Sequence, residues 1–237
     1  MKKIIKIFLA LFFMLYSTKS FCSELISHIP ENPNKALIML HGWHQSGRGV
    51  SWLTDRLKND FPNTAFYYPT APDNAPGGGY QWFVIPGFGS TMSEEKMYGK
   101  MMSSALDNVE VLYDLIDDIH KTQNIDYENI HIAGFSQGGF MAILAGLTNN
   151  EQIGKVISFS GVPILFTKDF KNKDIISKPE ILIIQGDNDQ VIPIDSFSLT
   201  EQTLKSVNVP STVKLIKNMP HIINSQALDY FIEFLKN

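Results

Sequence analysis

The hydrophobic residues of this chain fall into short, nearly continuous apolar runs, separated by polar stretches that are rich in glycine and proline. Runs of about six residues without an alternating polar face are typical of strands in a parallel sheet that is covered on both faces. On this basis, strands are predicted at residues 35–40, 64–69, 129–133, 155–160, 180–185 and 211–216.

Helical spacing of the hydrophobic residues marks several of the intervening segments. From about Ser93 to Gln123, and from Ser225 to Leu235, apolar residues recur every three or four positions. The run at 140–145 is helix-forming and too apolar to lie on a surface. Strand and helix alternate without an internal repeat or a linker. The sequence therefore predicts a single α/β domain, with a mostly parallel, doubly wound sheet and helices on both faces.

The composition agrees with this interpretation and excludes other classes of protein. Of the 237 residues, 44% are hydrophobic and 19% are charged, which is enough apolar material for a sizeable core. The formal net charge of −4 gives no electrostatic basis for binding nucleic acid. The sequence contains no C-x-x-C or H-E-x-x-H motif. A metal is therefore not predicted.

The N-terminus has the layout of a secretory signal peptide. A positively charged start at residues 1–6 precedes an uncharged apolar stretch at 7–16, and small residues follow. The apolar stretch is too short to span a bilayer comfortably. Cleavage after Ser20 or after Cys22 would satisfy the preference for small residues near the cleavage site. A retained anchor helix is the alternative.

We therefore predict that residues 1–22 are a leader and that residues 23–237 form the folded domain. The protein would be exported, either to a periplasm or out of the cell, with no stable membrane anchor once the leader is removed. Phe21 stands where a lipoprotein signal needs a small residue, which argues against lipidation. The single cysteine, Cys22, lies at the boundary, so the mature domain would have neither a disulfide nor a cysteine nucleophile.

A G-x-S-x-G motif, Gly134 to Gly138, joins the predicted strand at 129–133 to the buried helix that follows. Strand, motif and helix in this order are typical of a nucleophile elbow, a tight turn that lifts a serine hydroxyl above the sheet. The residues that flank the serine have to be small, or they would collide with the strand and the helix, which accounts for Gly134 and Gly138. Ser136 is therefore predicted to be a nucleophile, and an ordinary serine in a βα turn is the alternative.

The loop after the first long strand begins with His41 and Gly42 and lies at the carboxyl end of that strand. Ligands bind at this edge of open α/β sheets. A serine hydrolase needs backbone N–H groups there to hold the oxyanion, one from this loop and one from the residue after the nucleophile. By position these donors are Trp43 and Gln137. His41 and His44 come before the nucleophile, and we interpret them as residues that fix the loop by hydrogen bonds.

An acid and a base are predicted from the order Ser, Asp, His that nucleophile-elbow enzymes follow along the chain. Asp187 and Asp189 are the two candidate acids, in the loop after the strand at 180–185. We favour Asp189 because it lies further out on the loop, and Asp187 could brace the turn. His221 follows the last strand and is the predicted base, so activity should decline below about pH 6.5, the ordinary histidine pKa.

A long irregular segment, residues 71–89, contains Trp82, Phe83 and Phe88 and is too aromatic for a solvated linker. We predict that it forms the wall of an acyl-binding groove beside Ser136, with Trp82 and Phe83 as substrate-binding residues. A loop packed on the core is the alternative.

From residue 35 to the C-terminus, the chain resembles the phospholipase/carboxylesterase branch of the α/β-hydrolases, which includes acyl-protein thioesterases. The resemblance rests on Leu40-His41-Gly42, Trp82-Phe83, Gly134-Phe135-Ser136-Gln137-Gly138-Gly139, Gly186-Asp187-Asn188-Asp189 with Val191 and Pro193, and Met219-Pro220-His221. It implies a nucleophile, acid and base at Ser136, Asp189 and His221, and a first-loop oxyanion donor at Trp43. It also implies hydrolysis of carboxylic esters or thioesters of modest acyl chains, including lysophospholipids, with no cofactor.

The chain departs from the family pattern at three places. Val84 replaces the aspartate that commonly follows the Trp-Phe pair, and Trp43-His44-Gln45 replaces a common Leu-Gly-Asp. The third departure is the leader, which makes removal of acyl groups from cytosolic proteins improbable. The same triad would also serve a secreted polyester depolymerase or a feruloyl-type esterase. The non-enzymatic alternative is a lipid-binding module on a hydrolase scaffold.

Overall fold

The structure is a computed structural model that describes residues 22–86, 91–161 and 174–237. The predicted leader, up to residue 21, and Phe88 of the aromatic segment lie outside the described residues. The strands, numbered in chain order, are β1 (Leu25–His28), β2 (Lys35–Leu40), β3 (Thr64–Pro69), β4 (Asp73–Asn74), β5 (Tyr80–Gln81), β6 (Ile130–Phe135), β7 (Val156–Phe159), β8 (Ile181–Gly186) and β9 (Ser211–Ile216).

Seven of these strands form one sheet in the order β1-β3-β2-β6-β7-β8-β9. All neighbouring pairs are parallel except β1 and β3 at one edge, which are antiparallel. β4 and β5 make a separate two-stranded hairpin. The mostly parallel α/β sheet predicted from the apolar runs is therefore confirmed, and all six predicted strands are present with small shifts at their ends.

The helices cover both faces of the sheet. They are α1 (Gly47–Val50), α2 (Leu53–Leu57), α3 (Glu94–Gln123), α4 (Gln137–Thr148), α5 (Ile194–Ser206) and α6 (Ser225–Lys236). Buried residues of α3, α4 and α5 share one core cluster with Ile38 of β2. Those of α1, α2 and α6 share a second cluster with Leu37. Adjacent residues of one strand thus point into different layers, which is why the strand is apolar at every position.

The long helix α3 begins and ends where its hydrophobic spacing predicts. Ser93 is its N-cap residue, and Asn124 ends it in the left-handed conformation, with φ of 54°. Its buried face includes Leu112, Ile116 and Ile119. Within the described ranges, no helix has the length and apolar character required to cross a membrane.

The elements that the sequence did not predict are short or exposed. β1 has no buried residue and pairs with a single neighbour. α5 buries only Phe197, Thr200 and Leu204, so its apolar stripe is too narrow to recognise.

Because β2, β6, β7, β8 and β9 are parallel, their carboxyl ends meet at one edge of the sheet. This edge brings together the loop after Leu40, the turn at Ser136, and the loops that carry Asp189 and His221. Residues that are far apart in the sequence thus become neighbours.

Candidate active site

Ser136 occupies a sharp turn between β6 and α4, with backbone angles φ 54° and ψ −117°. A non-glycine residue in this region is strained, and such strain collects at functional sites. The turn is held by the Ser136 N–H, which donates to the Phe159 carbonyl at 2.8 Å. A Cβ atom on Gly134 would lie 2.1 Å from the Gly138 carbonyl oxygen, so this position tolerates no side chain. The predicted strand–turn–helix context of the serine is present.

The first turn of α4 also packs tightly against the end of β2. A Cβ atom on Gly138 would lie 2.5 Å from the Leu40 carbonyl oxygen and 2.6 Å from that of His41. The absence of a side chain therefore lets the helix start reach the first loop. This contact brings the helix N-terminus, where Gln137 begins α4, beside the loop that carries Trp43.

His221 and Asp189 form a hydrogen-bonded pair. The distance between His221 Nδ1 and Asp189 Oδ2 is 2.7 Å. The Asp189 side chain is fully buried, whereas 17% of the His221 side chain is exposed. An ionised carboxylate acts only as an acceptor, so Nδ1 carries the proton and Nε2 is left free to accept one. This is the orientation that a general base on the loop after the last strand requires.

The Asp189 carboxylate is also held by its own loop. Its Oδ1 accepts hydrogen bonds from the backbone N–H groups of Val191 at 2.8 Å and Ile192 at 2.9 Å. Burial on its own would raise the pKa of Asp189, but the bonds from Ile192, His221 and Val191 outweigh it and lower the pKa below its ordinary value. Asp189 is therefore ionised at neutral pH and faces the imidazole as an anion.

The other candidate acid, Asp187, has a different partner. Its Oδ1 accepts a hydrogen bond from the Asn218 backbone N–H at 2.5 Å. Asp187 is exposed and braces the turn after β9, as the sequence suggested it could. Of the two rival carboxylates, the structure places Asp189 against His221.

Phe135 connects the serine turn to the histidine, a contact that the sequence analysis missed. Its ring lies 4.8 Å from the His221 imidazole, centroid to centroid, with a tilt of 43°. A Cβ atom on Gly42 would lie 3.1 Å from the same phenyl ring. The residue directly before Ser136 therefore touches both the imidazole and the first loop. Its position between Gly134 and Ser136 is the signal that could have identified it.

The two histidines of the first loop fix its conformation, as interpreted from the sequence. His41 Nδ1 donates to the Gly42 carbonyl at 2.7 Å, and His41 Nε2 accepts from the Ala71 N–H at 3.0 Å. Burial lowers the pKa of His41 to about 4, against the opposing effect of its bond to Gly42, so this imidazole is neutral. His44 Nδ1 is bonded to the Gly78 carbonyl at 2.5 Å.

The hairpin of β4 and β5 pairs with the first loop next to Trp43. The His44 N–H donates to the Tyr80 carbonyl at 3.0 Å, and the Tyr80 N–H donates to the Gln45 carbonyl at 3.2 Å. The Trp43 indole Nε1 donates to Gln81 Oε1 at 3.3 Å, and its ring lies 4.0 Å from the His44 imidazole. The hairpin thus holds the residue whose backbone N–H is the predicted oxyanion donor.

Trp82 and Phe83 lie inside the core, with exposed fractions of 0% and 3%. The Trp82 indole Nε1 donates to the His41 carbonyl at 2.9 Å, and the Phe83 ring packs 4.8 Å from that of Phe140. Both side chains are thus held by partners on the core side. The structure gives them supporting positions, and their predicted contact with substrate stays a prediction.

The Gln137 side chain, which the sequence analysis overlooked, fastens this segment to α4. Its Oε1 accepts from the Trp82 N–H at 2.7 Å, and its Nε2 donates to the Phe83 carbonyl at 2.7 Å. The buried amide thus satisfies two backbone groups of the aromatic segment. Gln137 thereby couples the start of α4 to the predicted groove wall.

In the part of the chain that the structure describes, no three histidine, cysteine, aspartate or glutamate side chains are grouped so as to hold a metal ion.

Comparison with known proteins shows which family this chain resembles. A family model for phospholipase/carboxylesterase matches residues 23–237. Acyl-protein thioesterase 1 of Saccharomyces cerevisiae is 30% identical over 222 residues, which cover 85% of this chain and 92% of that protein. A probable carboxylesterase SOBER1-like of Arabidopsis thaliana is 27% identical over 242 residues, covering 97% and 88%.

Solved structures share the fold. Esterase PE8 superposes with a TM-score of 0.81 at 24% identity, covering 92% of this chain and 99% of its own. SOBER1 of Arabidopsis thaliana superposes with a TM-score of 0.69 at 23% identity, covering 85% and 97%. At these identities the structural likeness supports the α/β-hydrolase architecture alone.

Proposed function

Because the chain belongs to the phospholipase/carboxylesterase family of the α/β-hydrolase superfamily, we propose that it cleaves carboxylic esters through an acyl-enzyme on Ser136. The observation that carries this proposal is the 2.7 Å bond between His221 Nδ1 and Asp189 Oδ2, in a histidine whose ring touches the residue before Ser136. Nucleophilic acyl transfer needs an ionised carboxylate, an oriented imidazole and an exposed serine in one place, and here a strained serine turn lies at the same sheet edge as the other two.

In the proposed mechanism, His221 Nε2 takes the proton of the Ser136 hydroxyl as the serine oxygen attacks the acyl carbonyl carbon. Asp189 holds the imidazole by its Nδ1 proton and stabilises the imidazolium that forms. The protonated His221 then gives its proton to the departing alcohol, and the acyl group stays on Ser136. Water then attacks the acyl-enzyme while the same imidazole takes its proton. As the bond to the acyl group breaks, the imidazolium returns that proton to the Ser136 oxygen and the acid is released.

The negative charge on the carbonyl oxygen would be held by the backbone N–H groups of Trp43 and Gln137. Two observations support this assignment. The close approach of Gly138 to the Leu40 and His41 carbonyl oxygens brings the start of α4 to the first loop. The hairpin that carries Tyr80 and Gln81 restrains the loop on its other side.

We propose that the substrates are esters or thioesters of modest acyl chains, lysophospholipids included. Relatives named as carboxylesterase and as acyl-protein thioesterase support both kinds of leaving group. Val84 is 44% exposed at the end of the segment that Gln137 fastens, so an apolar side chain stands where the family pattern commonly has aspartate. This exchange favours an apolar acyl group over a charged one.

The test is hydrolysis of nitrophenyl esters with acyl chains of increasing length, together with the matching acyl thioesters and a lysophospholipid. A Ser136→Ala variant, shown to be folded by circular dichroism, is the blank. We expect wild-type turnover and a loss of roughly 10⁴-fold or more in kcat for the variant. Labelling of the wild type, but not of Ser136→Ala, by a fluorophosphonate would identify this serine as the nucleophile. Full activity in Ser136→Ala would refute the mechanism.

We also propose that the enzyme is exported, on the support of the charged start, the apolar stretch and the small residues that precede Ser23. Expression of the full chain in a bacterium, followed by fractionation and intact-mass measurement, tests this. We expect a mature protein that begins after Ser20 or Cys22, outside the cytoplasm. A chain that begins at residue 23 behind a new start methionine is the control and should stay inside. Unprocessed protein in the cytoplasm would refute export.

A further inference from the structure

Gln185 is a polar residue inside a strand that is otherwise apolar. It follows four apolar residues of β8, its side chain is completely buried, and its neighbour across the sheet is Leu215 of β9. Buried polar side chains usually reflect a specific hydrogen-bonding task. The task of Gln185 can be read from its partners, because they include the carboxylate that faces His221.

The Gln185 amide nitrogen donates two hydrogen bonds. One reaches Asp189 Oδ2 at 2.9 Å and the other reaches the Ile192 carbonyl at 3.3 Å. The Ile192 N–H in turn donates to Asp189 Oδ1. Gln185, Asp189 and Ile192 thus form a closed ring of hydrogen bonds, and Asp189 Oδ2 is shared between the amide and His221.

Chemistry fixes which way the amide points. Asp189 Oδ2 and the Ile192 carbonyl are both acceptors, so the group facing them has to be the NH₂ and not the carbonyl oxygen of Gln185. The consequence is that Gln185 Oε1 is buried with no hydrogen-bond partner among the described residues. The donating edge of the Gln185 amide is thus the edge that faces Asp189 and the loop around it.

We propose that Gln185 is a positioning residue, which holds the Asp189 carboxylate in the orientation that directs His221 toward Ser136. It acts through Asp189 and touches no reacting atom. The inference rests on the proposed acyl-transfer function, and it adds a fourth residue to the line from Ser136 through His221 and Asp189. Among the described residues, His221 is the one titratable side chain that is hydrogen-bonded to Asp189. The neighbouring Asp187 accepts instead from the Asn218 backbone N–H.

The decisive variants are Gln185→Met and Gln185→Glu. Methionine keeps the length but removes the donor. We expect kcat to fall roughly 10- to 100-fold with KM little changed, by analogy with the loss of an outer hydrogen-bond partner of a metal-ligating residue. Glutamic acid has the same shape. Two carboxyl groups within hydrogen-bonding distance cannot both ionise easily, so a protonated Glu at this position would still donate to Asp189.

The pH dependence of Gln185→Glu separates positioning from simple structural support. We expect the ratio of its kcat to that of the wild type to fall as the pH rises from about 5 to about 10, because ionisation of the new carboxyl removes the donor and adds repulsion. A merely structural role would leave this ratio constant. The downfield proton resonance of the His221–Asp189 bond should be retained at low pH in Gln185→Glu and displaced in Gln185→Met.

Thr200→Val is the matched control. It also replaces a buried, hydrogen-bonded polar group by an apolar one of equal shape, in α5, and should lower thermal stability without changing kcat or the pH profile.

Wild-type kcat in Gln185→Met would overturn the proposal. Should Gln185→Met fail to fold, a constant kcat ratio in Gln185→Glu would overturn it. If Ser136→Ala stays active, the proposed function fails first, so the two failures are distinguishable.

Discussion

Asp187 and Asn218 are joined by a hydrogen bond of 2.5 Å, in which Asp187 Oδ1 accepts from the Asn218 backbone N–H. Asn218 has a left-handed backbone, with φ of 58°, and begins the loop that leads to His221. The bond therefore ties the loop after β8 to the loop after β9. Only two residues further on, Asp189 accepts from His221 itself. Asp187 thus braces the loop, and Asp189 faces the imidazole.

These different partners predict different effects of two matched substitutions, one on activity and one on stability. Asp189→Asn removes the anion that orients His221, so we expect kcat to fall by roughly 10⁴, as for the equivalent change in serine proteases. Asp187→Asn weakens a hydrogen bond at an exposed turn, and we expect near-normal kcat with a loss of about 1 kcal/mol in the free energy of unfolding. Steady-state kinetics and urea unfolding of both variants provide the check. A larger loss of activity in Asp187→Asn would show that the acid has been assigned to the wrong residue.

The turn of the β4–β5 hairpin offers a second matched pair. Gly79 has φ of 70°, and a Cβ atom there would lie 2.2 Å from the His44 carbonyl oxygen, whereas one on Gly78, with φ of 114°, meets nothing within 4 Å. Alanine is strained at both positions because both have positive φ. Only Gly79→Ala pushes against the first loop.

We therefore expect Gly79→Ala to lower kcat by displacing the Trp43 N–H, roughly 10²-fold as for loss of one oxyanion donor. Gly78→Ala should lose about 1 kcal/mol of stability at unchanged kcat. Both are measured by thermal unfolding and nitrophenyl-ester kinetics. Equal activity in the two variants would argue against the hairpin as a support of the oxyanion loop.

The Gln137 side chain provides a third prediction. Gln137→Ala leaves the backbone donor in place but strips two buried groups, the Trp82 N–H and the Phe83 carbonyl, of their partner. We expect a loss of roughly 2 kcal/mol or more in the free energy of unfolding. If the segment around Trp82 and Phe83 forms the predicted groove wall, KM should also rise as that segment loosens. Gln202→Ala, at an exposed position of α5, is the control and should be nearly neutral. Wild-type stability in Gln137→Ala would contradict the view that this side chain fastens the segment around Trp82 and Phe83 to α4.

The parts of the candidate site that could be predicted from the sequence are those that follow directly from the order of the chain. Ser136, Asp189 and His221 each stand just after a strand, so a parallel sheet brings them to one edge whatever the details of packing. The choice between Asp187 and Asp189 as the acid was harder to predict, because both lie in the same loop. The two carboxylates differ in their hydrogen-bond partners, which lie 31 residues away in the sequence for Asp187 and 32 for Asp189.

The supporting contacts lay beyond the sequence because they join residues with no shared pattern. Gln137 and Trp82 are 55 residues apart, and Trp82 and His41 are 41 residues apart. An aromatic residue in an irregular segment suggested a groove wall, yet the indole of Trp82 is turned inward by its bond to the His41 carbonyl. Such an orientation depends on which buried carbonyl is free, and that is set only once the sheet and the first loop have formed.

A last prediction concerns the dependence of stability on pH, through His131 of β6. His131 is buried, and its Nδ1 accepts from the Lys155 N–H at 2.9 Å, so the proton is on Nε2. Burial, with the nearby charges of Lys35 and Lys155, lowers its pKa from 6.5 to about 4 in the folded protein. The unfolded chain therefore binds a proton between pH 6.5 and about 4 that the folded chain does not, and stability falls as the pH drops through this window.

This lowering of the His131 pKa corresponds to a loss of about 3 kcal/mol in the free energy of unfolding. The loss is absent above pH 6.5 and complete below about pH 4. His131→Gln keeps an acceptor for Lys155 but does not titrate, so its unfolding free energy should decline less steeply on acidification. Urea unfolding of both proteins from about pH 7.5 to about pH 4.5 gives the difference between the two curves, in which the other titrating groups cancel. As the pH falls, the unfolding free energy of the variant should increase relative to that of the wild type. Activity at neutral pH should be preserved, because His131 lies at the opposite end of β6 from Ser136. Parallel curves would mean that His131 is protonated in the folded protein as easily as in the unfolded chain.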